Sequence, residues 1–491
     1  MTAALLLLPA AAGVLAFLIR SDSARRRLLL LTAWAHSLLT ALLARAFLAG
    51  GAAEAGAYFG LDALGLLFLC VTSLLFLGAA HYAVRYLAAE KRAPGGGEEL
   101  FLFTNAPEAV FTGCLLFFLA AMSAVAASRH LGMLWAAVEA TTLLSAPLIY
   151  FHRHKRSLEA TWKYLLICSV GIALALMGNL LLGAAGLKSG AGLDYRSLLG
   201  AAASLDRPLL KAAFLFLFVG YGTKMGLSPF HTWLPDAHSE SPAVVSALLS
   251  GALLNCAFLG ILRVSAVCAG AGLSDFTGGL LLLFGLFSVA TAALFMVGQR
   301  DYKRMLAYSS IEHMGILAAG AGLGGAAAYG AVLGAVSHSL TKAGLFFSSG
   351  QVLAAEKTKE IAGVRGLRGR APLTAALWLA GFFLISGMPP SGVFLAKFIV
   401  LREMLARGRY AAAAVFLFFL AVLAASMARY FIAMVFGERE AKPGEQPFAE
   451  SRGMLLPAAA FFVLAAAAGL FIPGWLDALL KGAAACLGGA R

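Results

Sequence analysis

Seven ionisable side chains stand inside long apolar stretches of this sequence, where a charge is costly. They are Glu139, Lys163, Lys224, His313, His338, Lys342 and Lys397. An ionisable group at membrane depth costs about 3 kcal/mol or more, so its presence needs a reason. His338 and Lys342 are four residues apart, which puts them on one face of a helix. We therefore treat these groups as the candidate chemistry of the chain.

The chemistry that suits these groups is the binding and release of protons. Burial disfavours the charged forms of lysine and carboxylate, whereas contact between the two favours both charged forms. A lysine and a carboxylate whose contact changes would act as a proton gate, and histidine could relay protons between steps. The sequence contains neither an H-E-x-x-H pattern nor a carboxylate cluster at ligand spacing, so it does not indicate a catalytic metal. The absence of a Walker-type phosphate loop argues against direct ATP chemistry.

A purely structural role for the same charges stays open. Lys163 and Glu312 could stand near helix ends, where a long side chain reaches the interface at low cost. Arg263 could anchor the outer end of its helix. Glu139 could form a static ion pair, for example with Lys224, although apolar packing is often as stable as a buried pair.

The composition places these charges in an all-α polytopic membrane protein. The 491 residues are 61% hydrophobic and 13% charged, whereas soluble proteins carry about 25% charged residues. The net charge of +14 is assigned to loops that set topology, because no basic run interleaved with aromatics suggests nucleic acid. The six cysteines form no C-x-x-C pair, so we expect no haem or iron–sulfur cluster bound by this chain.

Apolar runs of about 20 residues recur along the chain and predict about fourteen transmembrane helices. The predicted spans are 3–19, 28–49, 58–85, 108–127, 130–151, 160–186, 208–229, 242–268, 275–298, 303–321, 325–355, 373–400, 410–436 and 453–475. The first span is interpreted as a retained helix, because its basic residues follow it instead of preceding it.

Lysine and arginine concentrate in the odd-numbered loops and are sparse in the even-numbered ones. Residues 20–27 and 357–370 are examples, and the third and thirteenth loops contribute Lys91, Arg92 and Lys442. The positive-inside rule puts these loops in the cytoplasm. We therefore expect a prokaryotic-type inner membrane protein with both termini on the outer side.

Two predicted spans contain helix-breaking prolines. Pro229 and Pro235 interrupt the seventh span, and Pro389 and Pro390 interrupt the twelfth. In lipid, such breaks occur where the freed backbone groups are buried in protein or line a wet cavity. Paired broken helices indicate transporter sites built from repeated units.

The buried charges recur at a nearly constant offset. Glu139 and His313 are 174 residues apart, Lys163 and His338 are 175 apart, and Lys224 and Lys397 are 173 apart. These offsets suggest two five-helix units, which would be inverted in the membrane because five is odd. The predicted division is residues 1–107 for helices 1–3, 108–268 and 269–436 for the two repeats, and 437–491 for helix 14.

Four stretches resemble a known family. Residues 222–238, 246–251, 301–310 and 338–343 are similar to signatures of antiporter-like membrane subunits. Such subunits occur in respiratory complex I, multisubunit cation/proton antiporters and group 4 nickel–iron hydrogenases. The resemblance covers residues 108–433, and residues 254–256 and 310–315 look most like the hydrogenase-4 component F branch.

The resemblance implies roles for individual residues. It makes Glu139 and Lys224 a pair, His338 and Lys342 a central relay, and Lys397 the terminal residue. The implied proton pathway comprises Glu139, Lys163, Lys224, His231, His238, Asn255, His313, His338, Lys342 and Lys397. Asn255 departs from the family pattern of a lysine or histidine, and a neutral amide cannot hold a proton. That position puts the continuity of the relay in doubt.

The implied function is translocation of protons, or alternatively sodium, by a non-redox membrane-arm subunit of a respiratory oxidoreductase complex. The complex would resemble a membrane-bound hydrogenase or an NADH:quinone-type dehydrogenase. This chain would bind no cofactor, and iron–sulfur clusters with nickel–iron or flavin would belong to a peripheral redox arm and other partner subunits. The alternatives are a cation/proton antiporter, the energising subunit of an inorganic-carbon uptake complex that contains a zinc protein, and a structural subunit with idle charges.

Overall fold

The fold is known from a computed structural model that describes residues 1–50, 54–56, 58–90, 105–439 and 448–486. Lys91, Arg92 and Lys442, which were assigned to basic loops, lie outside these residues. The described chain is helical apart from a small hairpin, in which β1 (Glu54–Ala55) pairs antiparallel with β2 (Phe59–Gly60). The expectation of a helical membrane protein is confirmed.

Most of the described residues lie in α-helices. In chain order they are α1 (Thr2–Leu18), α2 (Asp22–Leu48), α3 (Ala63–Glu90), α4 (Glu108–Ala127), α5 (Leu131–Ile149), α6 (Lys155–Gly186), α7 (Tyr195–Gly200), α8 (Arg207–Met225), α9 (Trp233–Glu240), α10 (Ala243–Leu248), α11 (Leu254–Gly270), α12 (Ser274–Val297), α13 (Tyr302–Leu323), α14 (Ala326–Glu356), α15 (Leu367–Arg370), α16 (Pro372–Ser386), α17 (Gly392–Ala406), α18 (Tyr410–Phe436), α19 (Arg452–Leu470) and α20 (Gly474–Ala485). A π turn at Leu249–Leu253 joins α10 to α11. Short 3₁₀ turns lie at Leu187–Ser189, Ala202–Ser204 and Ile361–Gly363.

Every predicted span coincides with helical residues, but some helix ends differ. Helix α6 begins at Lys155 instead of residue 160, because His154 and Ser157 form a reciprocal capping box. Helix α20 was not predicted as a separate helix, although Pro473 just before it is a typical start signal.

Nine helical segments in the described ranges are long and apolar enough to cross a bilayer. Helices α8, α13 and α14 are not among them. Lys224, Glu312 and Lys342 lie in these three helices and reduce their apolar character. Three of the helices that carry candidate groups therefore depart from simple membrane-span composition, whereas α5, which carries Glu139, is among the nine.

Both predicted helix breaks are present. Helix α8 ends before Gly226 and α16 ends before Gly387, and both glycines have a φ of 82°, a left-handed conformation that favours glycine. The Ser228–Pro229 and Pro389–Pro390 peptide bonds are cis. Pro235 does not break a helix, because it stands in the first turn of α9, where a missing backbone donor is tolerated.

Glycine pairs allow close helix packing in each half of the described chain. A Cβ atom at Gly220 of α8 would lie 2.5 Å from the carbonyl oxygen of Gly171 on α6. A Cβ at Gly285 of α12 would lie 2.6 Å from the carbonyl oxygen of Gly315 on α13. Small residues at these crossings bring the backbones together, which fixes the helices that flank the buried charges.

Helix α14 lies near the centre of this arrangement. It packs against α13, α16, α17 and α19, and most of its 31 residues are buried. His338 and Lys342 are fully buried within it. The central helix of the fold therefore carries two of the candidate groups.

Candidate functional site

Lys224 lies in the last turn of α8 and is completely buried. Its Nζ atom donates to Thr142 Oγ1 of α5 at 2.7 Å and to Tyr164 Oη of α6 at 2.6 Å. The ammonium group also stands 4.4 Å from the centre of the Tyr164 ring. Within the described part of the chain, no carboxylate lies within 4 Å of it. Neutral oxygens and an aromatic face therefore hold this cation.

The predicted Glu139–Lys224 contact is not formed. Glu139 is only partly buried on α5, and its Oε1 accepts a hydrogen bond from Ser169 Oγ at 3.2 Å. Its Oε2 is buried and has no partner among the described residues. Thr142, which contacts the lysine, is three residues further along α5, close to one helical turn. The carboxylate of Glu139 therefore lies about one turn of α5 from the hydroxyl that holds Lys224.

Hydroxyl groups continue from Lys224 into α5. Tyr164 Oη lies 2.6 Å from Ser145 Oγ, and both side chains are buried. Tyr164 and Thr142 were not among the predicted pathway residues. Their signal is weak, because tyrosine and threonine are common in membrane helices without any role in ion binding.

Lys163 is not part of the buried set, contrary to its predicted depth. Its side chain is 45% exposed and forms ion pairs with Glu159 at 2.7 Å and Asp236 at 3.0 Å. Asp236 also pairs with Arg304. Lys163 is the ninth residue of α6, and it stays exposed because its side chain joins the charged group formed by Glu159 and Asp236. The alternative of an interfacial lysine was the better interpretation here.

The π turn in the eighth span lies just before Asn255, which is in the first turn of α11. Asn255 Nδ2 donates to the Gly251 carbonyl at 3.0 Å and to Ser339 Oγ at 2.8 Å, while its Oδ1 is buried without a partner in the described chain. Ser339 Oγ also donates to the Gly251 carbonyl at 2.7 Å. A π turn shifts backbone carbonyls out of the regular ladder and often marks a functional site. Here it presents Gly251 to two side-chain donors.

Two histidines come together beyond the π turn. The rings of His313 on α13 and His338 on α14 have centroids 5.0 Å apart, and both side chains are buried. His313 Nδ1 lies 2.7 Å from the Ser309 carbonyl oxygen. Both ring nitrogens of His338 are buried without a partner among the described residues. The structure therefore brings together two groups that were predicted from distant parts of the sequence.

Lys342 lies one turn from His338 on α14 and points toward α13. Its Nζ donates to the Leu306 carbonyl and to Ser309 Oγ, again without a carboxylate partner in the described part of the chain. Ser309 thus stands between Lys342 and His313, since its carbonyl faces the imidazole. The predicted His338–Lys342 relay has the helical geometry expected of it.

Lys397 forms the one close buried lysine–carboxylate pair of the described chain, and its partner is Glu312. The Nζ and Oε1 atoms are 2.8 Å apart, and the Glu312 side chain is 3% exposed. Lys397 also donates to the Ser386 carbonyl at 3.2 Å, at the C-terminal end of α16. Glu312 had been interpreted as a residue near a helix end. This carboxylate is the most important residue that the sequence prediction missed.

The offsets along the chain separate two kinds of correspondence. Glu139 and Glu312 are 173 residues apart, which is the spacing of Lys224 and Lys397, whereas His313 is 174 residues from Glu139. The two breaks are related by 161 residues, from Gly226 to Gly387 and from Pro229 to Pro390. Lys224 stands before its break and Lys397 after its break. The equal spacing of these two lysines therefore does not put them at equivalent points of the broken helices.

His231 precedes the short helix α9, and His238 lies within its last turn. His231 is 6% exposed and its ring lies 6.3 Å from those of Phe295 and Tyr308. His238 is fully buried, stacks on Phe346 at 4.9 Å, and has no partner on either nitrogen in the described chain. His238 thus lies at the basic-loop end of the site, close to the turn that follows α9.

A polar cluster covers that end of the site. Glu240 Oε1 accepts from Lys359 Nζ at 2.8 Å, and Glu240 Oε2 lies 3.6 Å from His154 Nε2. Burial opposes ionisation of Glu240, but the charge and hydrogen bond of Lys359 outweigh it and lower the pKa of this carboxyl. A cavity of about 210 Å³ adjoins Glu240 and the Lys163–Asp236–Arg304 group. Charged and wet surface therefore reaches to within two residues of His238.

One further buried histidine lies outside this arrangement. His36 of α2 places its two ring nitrogens 2.9 Å from Ser73 Oγ and 3.0 Å from Ser123 Oγ. Both nitrogens are satisfied by hydroxyls of α3 and α4, so His36 cross-links three helices. We assign it a structural role.

Taken in order along the molecule, the buried polar groups run from Glu139 through Lys224, the π turn and the histidine pair to Lys397. Of the three lysines in this array, Lys224 and Lys342 are held by neutral oxygens and Lys397 is held by a carboxylate. Such an array can bind and release protons at several side chains, because each lysine is stabilised by a different set of partners.

Comparison with known proteins identifies a family of membrane subunits. The family described as "NADH:quinone oxidoreductase/Mrp antiporter, TM" matches residues 128–424. A hydrogenase-4 component F homolog of Methylacidiphilum infernorum is 36% identical over 424 residues, which cover 85% of this chain and 86% of the relative.

Solved structures share the fold over nearly the whole chain. A chain of an archaeal membrane-bound sulfane sulfur reductase has a TM-score of 0.85 at 20% identity, with 99% of this chain and 97% of that chain covered. A chain of respiratory complex I from Thermus thermophilus has a TM-score of 0.76 at 26% identity, with coverage of 96% and 97%. On this evidence the chain belongs to the transmembrane family of NADH:quinone oxidoreductase and Mrp antiporter proteins.

Proposed function

We propose that this chain is the proton-translocating, non-redox membrane-arm subunit of a respiratory oxidoreductase complex related to membrane-bound hydrogenases and complex I. The observation that carries the proposal is the state of Lys224, which is fully buried and, among the described residues, donates hydrogen bonds only to Thr142 and Tyr164. A static structural lysine would be expected to keep a carboxylate partner, because a lone buried cation is costly. Family membership and the relatives' names support the same assignment.

The proposed gate is the distance between Glu139 and Lys224. In the present arrangement the Glu139 carboxylate accepts a hydrogen bond from Ser169. Lys224 donates hydrogen bonds to the hydroxyls of Thr142 and Tyr164. A movement of about one helical turn along α5 would bring the charges into contact and favour the protonated lysine. Separation would favour release of the proton toward the histidine pair. Electron transfer in partner subunits would drive the alternation.

The second half of the pathway is proposed to end at Lys397. Glu312 holds this lysine in the arrangement that Glu139 and Lys224 lack. The two lysines would therefore be out of phase, one with its carboxylate and the other without. Lys342, His313 and His338 would transfer protons between them, and His238 with the Glu240 cluster would connect the site to the cytoplasm. Lys163 and His231 are proposed to border this entrance.

We also propose the finer architecture that the sequence suggested. It comprises about fourteen membrane crossings, with helices 1–3 in residues 1–107, inverted repeats in 108–268 and 269–436, and helix 14 in 437–491. The 161-residue relation between the broken helices and the 173-residue relation between Glu139 and Glu312 support the repeats. Both termini would face the outer side of a prokaryotic-type inner membrane.

The expected partners are further membrane-arm subunits and a peripheral redox arm. Iron–sulfur clusters with nickel–iron or flavin would be located in those partners. Purification of the native complex under mild conditions tests this part of the proposal, because redox subunits should copurify with the chain. Copurification of a zinc protein alone would instead favour the inorganic-carbon uptake complex.

The proton-translocation claim is tested by Lys224→Met in the assembled complex. Redox-driven proton uptake by proteoliposomes should fall to background while electron transfer and assembly persist. Lys211→Met is the matched control, because Lys211 lies on the same helix with an exposed side chain. Unchanged pumping in Lys224→Met would contradict the proposed gate.

A cation/proton antiporter without redox partners is the second candidate, since the family description includes Mrp antiporters. The two candidates differ in their energy source. Vesicles that contain this chain should exchange cations for protons down an imposed gradient if it is an antiporter. Replacing sodium with potassium in the pumping assay decides between protons and sodium, because sodium transport would stop.

A further inference from the structure

A second cavity, of about 440 Å³, lies away from the proposed pathway. It is found where the C-terminal ends of α12 and α18 meet the segment that follows α14. Its polar lining consists of Gln299, Arg300, Glu360, Arg365, Arg429 and Tyr430. This is the basic-loop end of the molecule, which the positive-inside rule assigns to the cytoplasm.

The walls of this cavity are tied together by hydrogen bonds. The Ile361 backbone amide donates to the Arg300 carbonyl at 2.8 Å, and Asp301 forms a β-bridge with Glu360. Tyr430 Oη donates to the Met296 carbonyl at 3.2 Å at the end of α12. Three chain segments therefore form a fixed frame, and the cavity is a built site and not a chance gap between loops.

The cavity carries an excess of positive charge. Arg300, Arg365 and Arg429 have no carboxylate within 4 Å, and their guanidinium groups donate no hydrogen bond, as far as the described residues show. Glu360 is the single carboxylate in the lining and is exposed. Guanidinium groups stay protonated in proteins, so this charge is permanent. Such a set is suited to an oxyanion, and above all to a phosphate that can accept two parallel hydrogen bonds.

The position of Arg429 on α18 indicates how far the cavity extends from the helix end. It lies seven residues before the end of α18 at Phe436, which is about 10 Å along the helix. A permanent cation at that depth in a membrane helix is costly unless an anion meets it there. The headgroup region of the bilayer is the place where a phosphate is found at this depth.

Apolar surface continues below the arginines. Leu294 and Phe287 of α12 are 68% and 50% exposed, and Phe418 of α18 is 62% exposed. Phe418 is eleven residues before Arg429, which puts the two on the same face of α18. The cavity therefore has cations at the membrane surface with lipid-facing apolar side chains beneath them.

From this combination we propose that the cavity binds the phosphodiester headgroup of an anionic phospholipid, with its acyl chains along α12 and α18. Free phosphate would satisfy the arginines but not the apolar faces. An acidic segment of a partner protein would not need a cation 10 Å inside the helix end. Basic pockets between membrane helices on the cytoplasmic side are known to hold such headgroups. The inference is independent of whether the chain moves protons.

Titration of the purified full chain with phosphatidylglycerol, followed by native mass spectrometry, tests the proposal. Wild type should bind phosphatidylglycerol at least tenfold more tightly than phosphatidylcholine. Arg365→Gln with Arg429→Gln should weaken phosphatidylglycerol binding by about thirtyfold, on the basis of two interfacial charges. Arg368→Gln with Arg452→Gln removes two exposed charges on the same side and should leave binding within about twofold of wild type.

Three results would overturn the proposal. Equal losses in the two double variants would indicate general surface charge instead of a site. Equal affinity for phosphatidylcholine would remove the role of the anion. Displacement of phosphatidylglycerol by millimolar inorganic phosphate would mean that the site takes a free ion.

A measurement on wild type covers failure of the variants to fold. A photoreactive phosphatidylglycerol should crosslink within residues 287–302, 360–365 and 418–436. Crosslinks confined to other helices would contradict the assignment.

Discussion

The Glu312–Lys397 pair allows a quantitative separation of stability from function. In Glu312→Gln, Lys397 loses the negative charge at 2.8 Å and keeps neutral oxygens only, namely the new amide oxygen and the carbonyls of Ser386 and Ile385 at 3.2 and 3.5 Å. Breaking a buried ion pair by removing one partner costs about 3–5 kcal/mol. The C-terminal end of α16 favours a nearby cation by about 0.3–1 kcal/mol, which offsets only a small part. We therefore expect a net destabilisation of about 3 kcal/mol.

The double variant Glu312→Gln/Lys397→Met should recover most of this stability, because replacing both charges by uncharged groups is often neutral. Thermal unfolding of wild type, both single variants and the double variant in one detergent measures the coupling. Tryptophan fluorescence suffices, since Trp378 on α16 is fully buried. Proton uptake in proteoliposomes, measured on the same four proteins, should fall in all three variants.

Two results would refute this reasoning. Additive effects of the single substitutions on unfolding would mean that the two side chains are not energetically coupled. Recovery of proton uptake in the double variant would mean that the pair only holds α13 and α17 together. In that case Lys397 would have to leave the proposed pathway.

Three further predictions follow from single contacts. Tyr164→Phe removes one of the two oxygens that accept hydrogen bonds from Lys224. A hydrogen bond to a charged group is worth about 1.5–3 kcal/mol, so proton uptake should slow at least tenfold. Tyr221→Phe on α8 is the control and should not slow uptake, because its hydroxyl has no partner in the described chain. Lys359→Gln should lower the unfolding temperature at pH 7, because the lowered pKa of Glu240 stabilises the fold above the ordinary glutamate pKa of about 4.3; the difference from wild type should vanish as the pH falls through the lowered value, and Lys357→Gln is the control. Gly315→Ala places a Cβ 2.6 Å from the Gly285 carbonyl oxygen and should reduce the yield of folded protein, whereas Gly279→Ala meets nothing within 4 Å; equal yields would mean that the helices separate freely.

The membrane helices could be predicted from the sequence because bilayer thickness fixes the length of an apolar run. The fourth span was predicted at 108–127 and is found at Glu108–Ala127. Prolines likewise marked both helix breaks, since their backbone restriction acts locally. Errors occur where a local cap or a short helix decides the boundary, as at His154 and at α20.

The identity of the site residues could be predicted better than their partners. Buried charges are conspicuous in an apolar sequence, and six of the seven first selected here are at least partly buried in the structure. Adjacent residues of a helix point about 100° apart, so selecting His313 instead of its neighbour Glu312 overlooked the side chain that pairs with Lys397. Only the packing of α13 against α17 reveals that Glu312 faces Lys397.

The π turn could not be predicted, because it inserts one residue into the hydrogen-bond ladder without requiring a special residue type. Its neighbourhood was nevertheless selected through the resemblance of residues 246–251 to a family signature. Hydroxyl partners such as Thr142 and Ser339 also cannot be predicted from the sequence, because serine and threonine hydroxyls in most helices donate hydrogen bonds to backbone carbonyls of their own helix.

At Asn255 the sequence predicted a departure from the family pattern, and the structure gives its hydrogen-bond partners. Its amide is fixed by Gly251 and Ser339, and its Oδ1 is a buried acceptor that no described residue occupies. An amide cannot store a proton, but a buried acceptor beside serine hydroxyls can hold a water that passes one on. Asn255→Leu removes that acceptor and fills the space, so proton uptake should fall at least tenfold while folding persists. Asn255→Ser keeps a hydroxyl and should retain most of the rate. Normal uptake in Asn255→Leu would mean that protons cross between the two halves by a route that avoids the π turn.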